Sequence, residues 1–200
     1  MKLIRELIEK YREHRLKNMF PALQEAFQVT THLTVQEMCR LYLLAKDRKY
    51  VVEIGSYIGA SACCFGAALK EADSGKLLCI DTWNNDAMTE GNRDTWLEFQ
   101  NNTASYKKHI IPVRGFSADV VGQVAVHVTS FDLLFIDGDH SYEGVKADWE
   151  AYKVFLRTGS IVVFHDWGWA GGVKLVIEKD VMPCVRSFEA LPNMWWGVIK

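Results

Sequence analysis

Two short polar runs hold most of the reactive side chains in this sequence: Asp137-Gly138-Asp139-His140 and His165-Asp166. Each follows an apolar run of strand length, FDLLFI and IVVF. Adjacent strands lie about 4.8 Å apart, so neighbouring strand ends would gather these carboxylates and imidazoles at one spot. Such a group repels itself or shifts its pKa values unless it shares a cation or a proton. Oxygen-rich ligation suits magnesium, manganese or calcium, and added imidazole tilts the set toward manganese or iron. An imidazole that titrates near neutrality is also a natural general base. The competing reading is structural: Asp139 and His140 cap a helix beginning near Tyr142, and His165 and Asp166 make fixed hydrogen bonds.

A second set of residues has the chemistry of a nucleoside site. Glu53-Ile54-Gly55-Ser56-Tyr57-Ile58-Gly59 leaves the first apolar run through a turn whose glycines let backbone approach a ligand closely. A dinucleotide fingerprint would need GxGxxG, and Tyr57 stands where its second glycine belongs, which argues against NAD. Asp81 ends the second apolar run, where a carboxylate can accept both ribose hydroxyls; a turn or helix cap is the alternative. Gly115-Phe116-Ser117-Ala118-Asp119 follows the third run and offers a ring for adenine and polar groups for its edge. Ser117 also suits an ordinary helix N-cap.

The elements that must position these residues follow from the pattern of apolar runs. YVVEIG, KLLCID, HIIPVRG, FDLLFIDGD and SIVVFHD alternate with helical stretches over 59–71, 118–126 and 142–156. Continuous apolar strands separated by helices imply a parallel sheet covered on both faces. CVRSFEA and MWWGVIK, joined at Leu191-Pro192-Asn193, read as two further strands forming an antiparallel edge. The expectation is an α/β, Rossmann-like, seven-stranded and mostly parallel doubly wound sheet. Residues 1–48 form an N-terminal helical extension, with a helix over 3–16 and a capping box at Thr34 opening a second to Lys46. Residues 49–200 form the core of a single domain. In such sheets ligands bind beyond the carboxyl ends of the strands, where all five polar signals fall.

In this order VVEIGSYIGAS, LLCIDTW, VRGFSADVV, FDLLFIDGDHSYEGVKADW and GSIVVFHDW resemble the class I S-adenosylmethionine-dependent methyltransferases. The sequence looks closest to the small O-methyltransferase-like group with macrocin-type sugar O-methyltransferases and cephalosporin hydroxylase-like proteins. The resemblance covers roughly residues 50–166. It implies that Glu53, Gly55, Ser56, Gly59 and Asp137 line the methionine and ribose side of S-adenosylmethionine. Asp81 and Thr82 would hold the ribose, and Trp83, Phe116 and Ser117 would frame the adenine. It further implies that Asp137 and Asp166 bind a divalent metal, magnesium or manganese, with His165 where a second carboxylate often stands. His140 matches a general base, with Asp137 beside it in catalysis. The implied acceptor is a small hydroxylated molecule.

Composition narrows the alternatives. The chain has 200 residues, 49% hydrophobic and 24% charged, the profile of a globular domain. A net charge of -2 leaves no electrostatic footprint for nucleic acid. No apolar run reaches the ~20 residues of a membrane span, and the N-terminus lacks a signal-peptide core. Cys39, Cys63, Cys64, Cys79 and Cys184 read as buried free thiols in a reducing compartment, so the expected location is cytoplasmic. The insert 83–108 reads as a mobile lid or as an ordinary crossover helix. Trp167 and Trp169 could stack an acceptor, and Trp195 and Trp196 belong to the core or to a homodimer contact. Two other functions compete: a non-haem iron oxygenase with His140, His165 and an aspartate as facial triad, and a non-catalytic nucleoside-binding protein.

Overall fold

The computed structural model describes residues 2–84, 91 and 93–200, with side chains described from residue 7 onward except residue 9. Seven strands form one sheet: β1 (Tyr50–Ile54), β2 (Lys76–Asp81), β3 (Ile110–Arg114), β4 (Phe131–Ile136), β5 (Leu156–His165), β6 (Val185–Leu191) and β7 (Met194–Ile199). Their spatial order is β3-β2-β1-β4-β5-β7-β6. The first five run parallel, and β7 runs antiparallel between β5 and β6. The last strand is therefore internal and β6 is the edge, because a tight turn lets β7 fold back into the gap beside β5. The expected α/β Rossmann-like seven-stranded sheet is what the chain forms.

The helices are α1 (Lys2–Met19), α2 (Val35–Ala45), α3 (Ala60–Glu71), α4 (Trp96–Asn102), α5 (Ser117–His127), α6 (Tyr142–Tyr152) and α7 (Gly171–Val176). Alternate residues of each strand face opposite ways, so the sheet divides the apolar interior into two layers. Val51, Leu77, Leu133, Phe135 and Val163 pack toward α2, α3 and α4. Val52, Leu78, Leu134, Val162 and Phe164 pack toward α5, α6 and α7. Thr34 caps α2 reciprocally: its hydroxyl accepts from Glu37 N at 3.2 Å, and Glu37 Oε2 accepts from Thr34 N at 2.8 Å.

Within the segment 83–108, residues 85–90 and 92 lie outside the described residues, and that part of the suggested lid with them. The remainder contains α4 and a 3₁₀ turn at Ala104–Tyr106. Its aromatics are structural: Trp83 is fully buried, with its ring 4.6 Å from Trp96 and 4.8 Å from Phe99. Trp195 and Trp196 are buried on opposite faces of the sheet. All five cysteines are free thiols; Cys184 is half-buried where the sequence suggested full burial.

Two outcomes follow from the core. Phe135 is fully buried on the central strand β4. Phe135→Ala should lower stability by about 3–5 kcal/mol, read from the urea midpoint at constant m-value. Glu53 is fully buried in the same layer, and its Oε2 accepts from Ser56 Oγ at 2.6 Å. Burial pushes its pKa up to about 7, against the hydrogen bond from Ser56. The folded chain then holds a proton that the unfolded chain has released between an ordinary 4.5 and about 7. A raised carboxyl pKa makes stability fall as pH rises through that window. The wild-type midpoint should therefore drop relative to Glu53→Gln between those limits; parallel curves would show no proton on Glu53.

Candidate active site

Register brings the polar strand ends together. Ile54 pairs with Ile136, and Ile136 with Phe164, so Gly55, Asp137 and His165 emerge side by side. The approach of the first two is close enough to require glycine. A Cβ on Gly55 would lie 2.1 Å from Asp137 O, and the residue has φ +86. Gly59, φ +93, is a packing glycine instead: a Cβ there would meet Thr103 Cγ2 at 2.7 Å.

Above these ends lies a cleft of about 700 Å³, within the range of small-ligand sites. Gly55, Ser56, Asp81, Thr82, Phe116, Ser117, Asp137, His140, His165 and Asp166 all line it. Three expected residues do not. Glu53 is sealed beneath the turn under Ser56, Gly59 faces α4, and Trp83 belongs to the aromatic core. All three point to the α2–α4 side of the sheet, Glu53 from β1, Gly59 from the start of α3 and Trp83 from the turn after β2.

Asp81 organises the first turn. Its Oδ2 accepts from Ser56 N and Tyr57 N, each at 2.8 Å, and its Oδ1 accepts from Trp83 N at 2.6 Å. Tyr57 sits at φ 45, a left-handed conformation that these hydrogen bonds hold. Asp81 thus caps the turn, the alternative reading of this residue, and does so at the cleft wall.

The acidic cluster is arranged around His165, which is 4% exposed. Its Nδ1 lies 3.2 Å from Asp137 Oδ1 and 3.3 Å from Asp166 Oδ1. Nε2 faces Glu37 Oε2 at 3.8 Å. Burial would lower the pKa of His165, but Asp137, Asp166 and Glu37 outweigh it and push the imidazole up to about 12. Both ring nitrogens of His165 thus face carboxylates of the protein. Among the described residues, Asp137, His140 and Asp166 form a group of three whose ligand atoms all lie within 4.8 Å of one another, with His140 where His165 was expected.

His140 occupies the open side. Its Nε2 lies 2.7 Å from Asp166 Oδ2, and that hydrogen bond raises its pKa against the opposing effect of burial. Burial works against the charge on Asp166 too, yet His140 and His165 hold its carboxyl far below the usual range. Asp137 moves the other way: burial raises it more than His165 lowers it. Asp166 is at φ 58, and its Oδ1 accepts from Trp169 Nε1 at 2.7 Å and Asn193 Nδ2 at 2.8 Å. Trp169 is 64% exposed with its ring 5.0 Å from that of His140, whereas Trp167 packs on the core. The N-cap of α6 is Ser141, whose Oγ accepts from Gly144 N at 3.1 Å, and not Asp139 or His140; Asp139 Oδ1 accepts from Ser141 N at 2.7 Å in the preceding turn.

Four contributors were not foreseen. The loop Thr30–Leu33 lines the cleft from the N-terminal extension, Glu37 backs His165, Asn193 braces Asp166, and Asp148 lines the cleft from α6. Asp148 did carry a signal, since it shares the buried stripe of Val145, Trp149 and Tyr152 at helical spacing. Among the described residues, no helix is long and apolar enough to cross a membrane.

Comparison with known proteins agrees with this architecture. An uncharacterized protein, y4gI, of Sinorhizobium fredii is 29% identical over 118 residues, 58% of this chain and 13% of that protein. A protein of Acanthamoeba polyphaga mimivirus is 38% identical over 53 residues, 25% of this chain and 24% of that protein. The chain thus spans less than a quarter of either relative. Among solved structures, the O-methyltransferase from Bacillus cereus in complex with SAH superposes with a TM-score of 0.72 at 16% identity, covering 95% of this chain and 97% of that one. The TDP-rhamnose 3'-O-methyltransferase of calicheamicin biosynthesis gives 0.64 at 19% identity, covering 82% and 77%. These similarities establish a shared fold. The family described as Methyltransferase domain matches residues 52–167, more than half of the sequence, from within β1 to just past the end of β5. On that match, and on the strand-end cleft it encloses, this chain belongs to the methyltransferase-domain family.

Proposed function

We propose that the cleft binds S-adenosylmethionine and that the chain transfers its methyl group to a hydroxyl oxygen of a small molecule. The observation that carries the reading is the convergence of the ends of β1, β2, β4 and β5, with the turn after β3, on one cleft of nucleoside size. The methyltransferase-family membership and the fold shared with O-methyltransferases support it. Gly55, Ser56 and Asp137 would line the methionine and ribose side, Asp81 and Thr82 the ribose, and Phe116 and Ser117 the base. The acceptor oxygen attacks the methyl carbon, the carbon–sulfur bond breaks toward sulfur, and the hydroxyl proton must leave. Alignment and proton removal are what such a site needs to supply, since the sulfonium is already electrophilic.

The proton goes to His140. Asp166 holds Nε2, so Nδ1 is the nitrogen left to accept, and Asp166 stabilises the imidazolium that forms. Trp169 covers the adjacent edge and offers an exposed ring to a flat acceptor. A second reading rests on the spacing of Asp137, His140 and Asp166: two carboxylates and one imidazole fit a divalent cation such as magnesium or manganese. Those three would hold it, and bound there it would lower the pKa of the acceptor hydroxyl. His140 cannot ligate through Nε2 and accept a proton at Nδ1 together, so the two readings are separable.

Calorimetry with S-adenosylhomocysteine, with NAD and ATP as controls, should show binding of the first alone; no heat with it would overturn the proposal. His140→Gln should keep that affinity within a few-fold while turnover with a hydroxylated acceptor falls by ~100- to 10,000-fold. Wild-type turnover should rise with pH through a His140 pKa above the ordinary 6.5. A variant as fast as wild type would remove His140 as base. Treatment with a chelator should abolish turnover, and manganese or magnesium restore it, if the cation reading holds. Full turnover in metal-free protein eliminates that reading.

A further inference from the structure

We propose that Asn193 is a positioning residue for the base: acting through Asp166, it holds His140 as the tautomer with hydrogen on Nε2 and the lone pair on Nδ1. The inference rests on the reading of His140 as base given above and goes beyond it by assigning the residue that fixes that base.

Asn193 reaches the rim from the far end of the chain, and strand register brings it there. β7 runs antiparallel to β5 with His165 opposite Met194, so the residue before Met194 falls opposite Asp166. Leu191 pairs with Met194, which leaves Pro192 and Asn193 as a two-residue turn. Proline presets the first position of that turn and stiffens it. Asparagine is common in turns because it tolerates left-handed backbone. That is not its use here: Asp166 is at φ 58, but Asn193 has no positive φ. What the position uses is the side-chain amide.

The amide meets two groups of opposite kind. Its Oδ1 accepts from Gly168 N at 3.1 Å, and its Nδ2 donates to Asp166 Oδ1 at 2.8 Å. One orientation alone satisfies both, since the flipped amide would set oxygen against carboxylate and N–H against N–H. Gly168 permits the approach: a Cβ there would lie 2.4 Å from Pro192 O and 2.8 Å from Asn193 Oδ1. Trp169 Nε1 donates to the same Asp166 oxygen at 2.7 Å, and His165 Nδ1 lies 3.3 Å from it. Held there, the carboxylate presents Oδ2 to His140 Nε2 at 2.7 Å. An ionised carboxylate only accepts, so Nε2 carries the hydrogen and the neutral ring keeps its lone pair on Nδ1. Removing the Asn193 donor frees the carboxylate to turn and releases a backbone held in a sparsely populated conformation.

The test is nitrogen-15 NMR on the full chain labelled at histidine, with divalent cations removed and at a pH where His140 is neutral. His140→Gln assigns the His140 signals among the six histidines. Wild type should show His140 as one tautomer, protonated at Nε2. Asn193→Ala should mix the tautomers, so that the two ring-nitrogen shifts of His140 move toward each other. Asn193→Asp keeps an acceptor for Gly168 N but sets a like charge against Asp166, and it should mix them too. Gly168→Ala, which forces the loop and the turn apart, should reproduce the effect. Affinity for S-adenosylhomocysteine should stay close to wild type in the Asn193 variants, because Asn193 lies outside the cleft lining. A wild-type His140 with its hydrogen on Nδ1 overturns the inference. So do Asn193 variants, folded by thermal melt, that keep the wild-type His140 shifts; if neither folds, unchanged shifts in Gly168→Ala do the same. The base reading fails separately, if His140→Gln turns over as fast as wild type.

Discussion

Two carboxylates at the ends of neighbouring strands cannot share one rim unless a positive charge stands between them, and here that charge is the buried ring of His165. Its Nδ1 reaches both Asp137 and Asp166, while Glu37 closes the far side. Like charges a few ångströms apart in a half-buried setting would otherwise drive one group neutral. With His165 protonated, Asp166 stays ionised, and its outer oxygen is free to orient His140. Asn193 and Trp169 then hold the inner oxygen and secure the left-handed backbone at Asp166. The placement of Asp137, Asp166 and His140 traces back to this pairing.

On the β1 side the governing constraint is backbone contact rather than charge. Gly55 brings its Cα so close to the Asp137 carbonyl that no side chain fits. That contact sets the depth of the cleft floor, and Asp81 then ties down the following amides of Ser56 and Tyr57. A ligand above this floor meets backbone already held in place, and preorganised groups bind without a cost in ordering. The glycines expected to admit a ligand therefore admit the neighbouring chain first.

Much of this was legible from sequence because each apolar run ends abruptly on a polar residue. A continuous apolar run and the polar residue that ends it are local properties, so the strands, the antiparallel tail and the rim were readable. Depth was not. Glu53 and Gly55 are two residues apart, yet one is sealed in the core and the other lines the cleft. The two histidines differ for the same reason: the strand residue His165 is enclosed by its neighbours, and the loop residue His140 reaches the open side of the cleft. Trp83 misled because an aromatic after a strand reads equally as ligand wall or core. Only the packing of Trp96 and Phe99 against it settles the matter.

The contributors hardest to read come from outside the segment matched by the family. Residues 52–167 carry the sheet and the charged rim, but Glu37 precedes them and Asn193 follows. Glu37 does two jobs with one carboxylate: it caps α2 through Thr34 and faces His165. The loop Thr30–Leu33, which lines the cleft, leads directly into that cap. A displacement of the loop would move Thr34, hence Glu37, hence the charge balance around His165. The N-terminal segment and the rim are thus joined through one carboxylate, even though in sequence one reads as an extension and the other as the core.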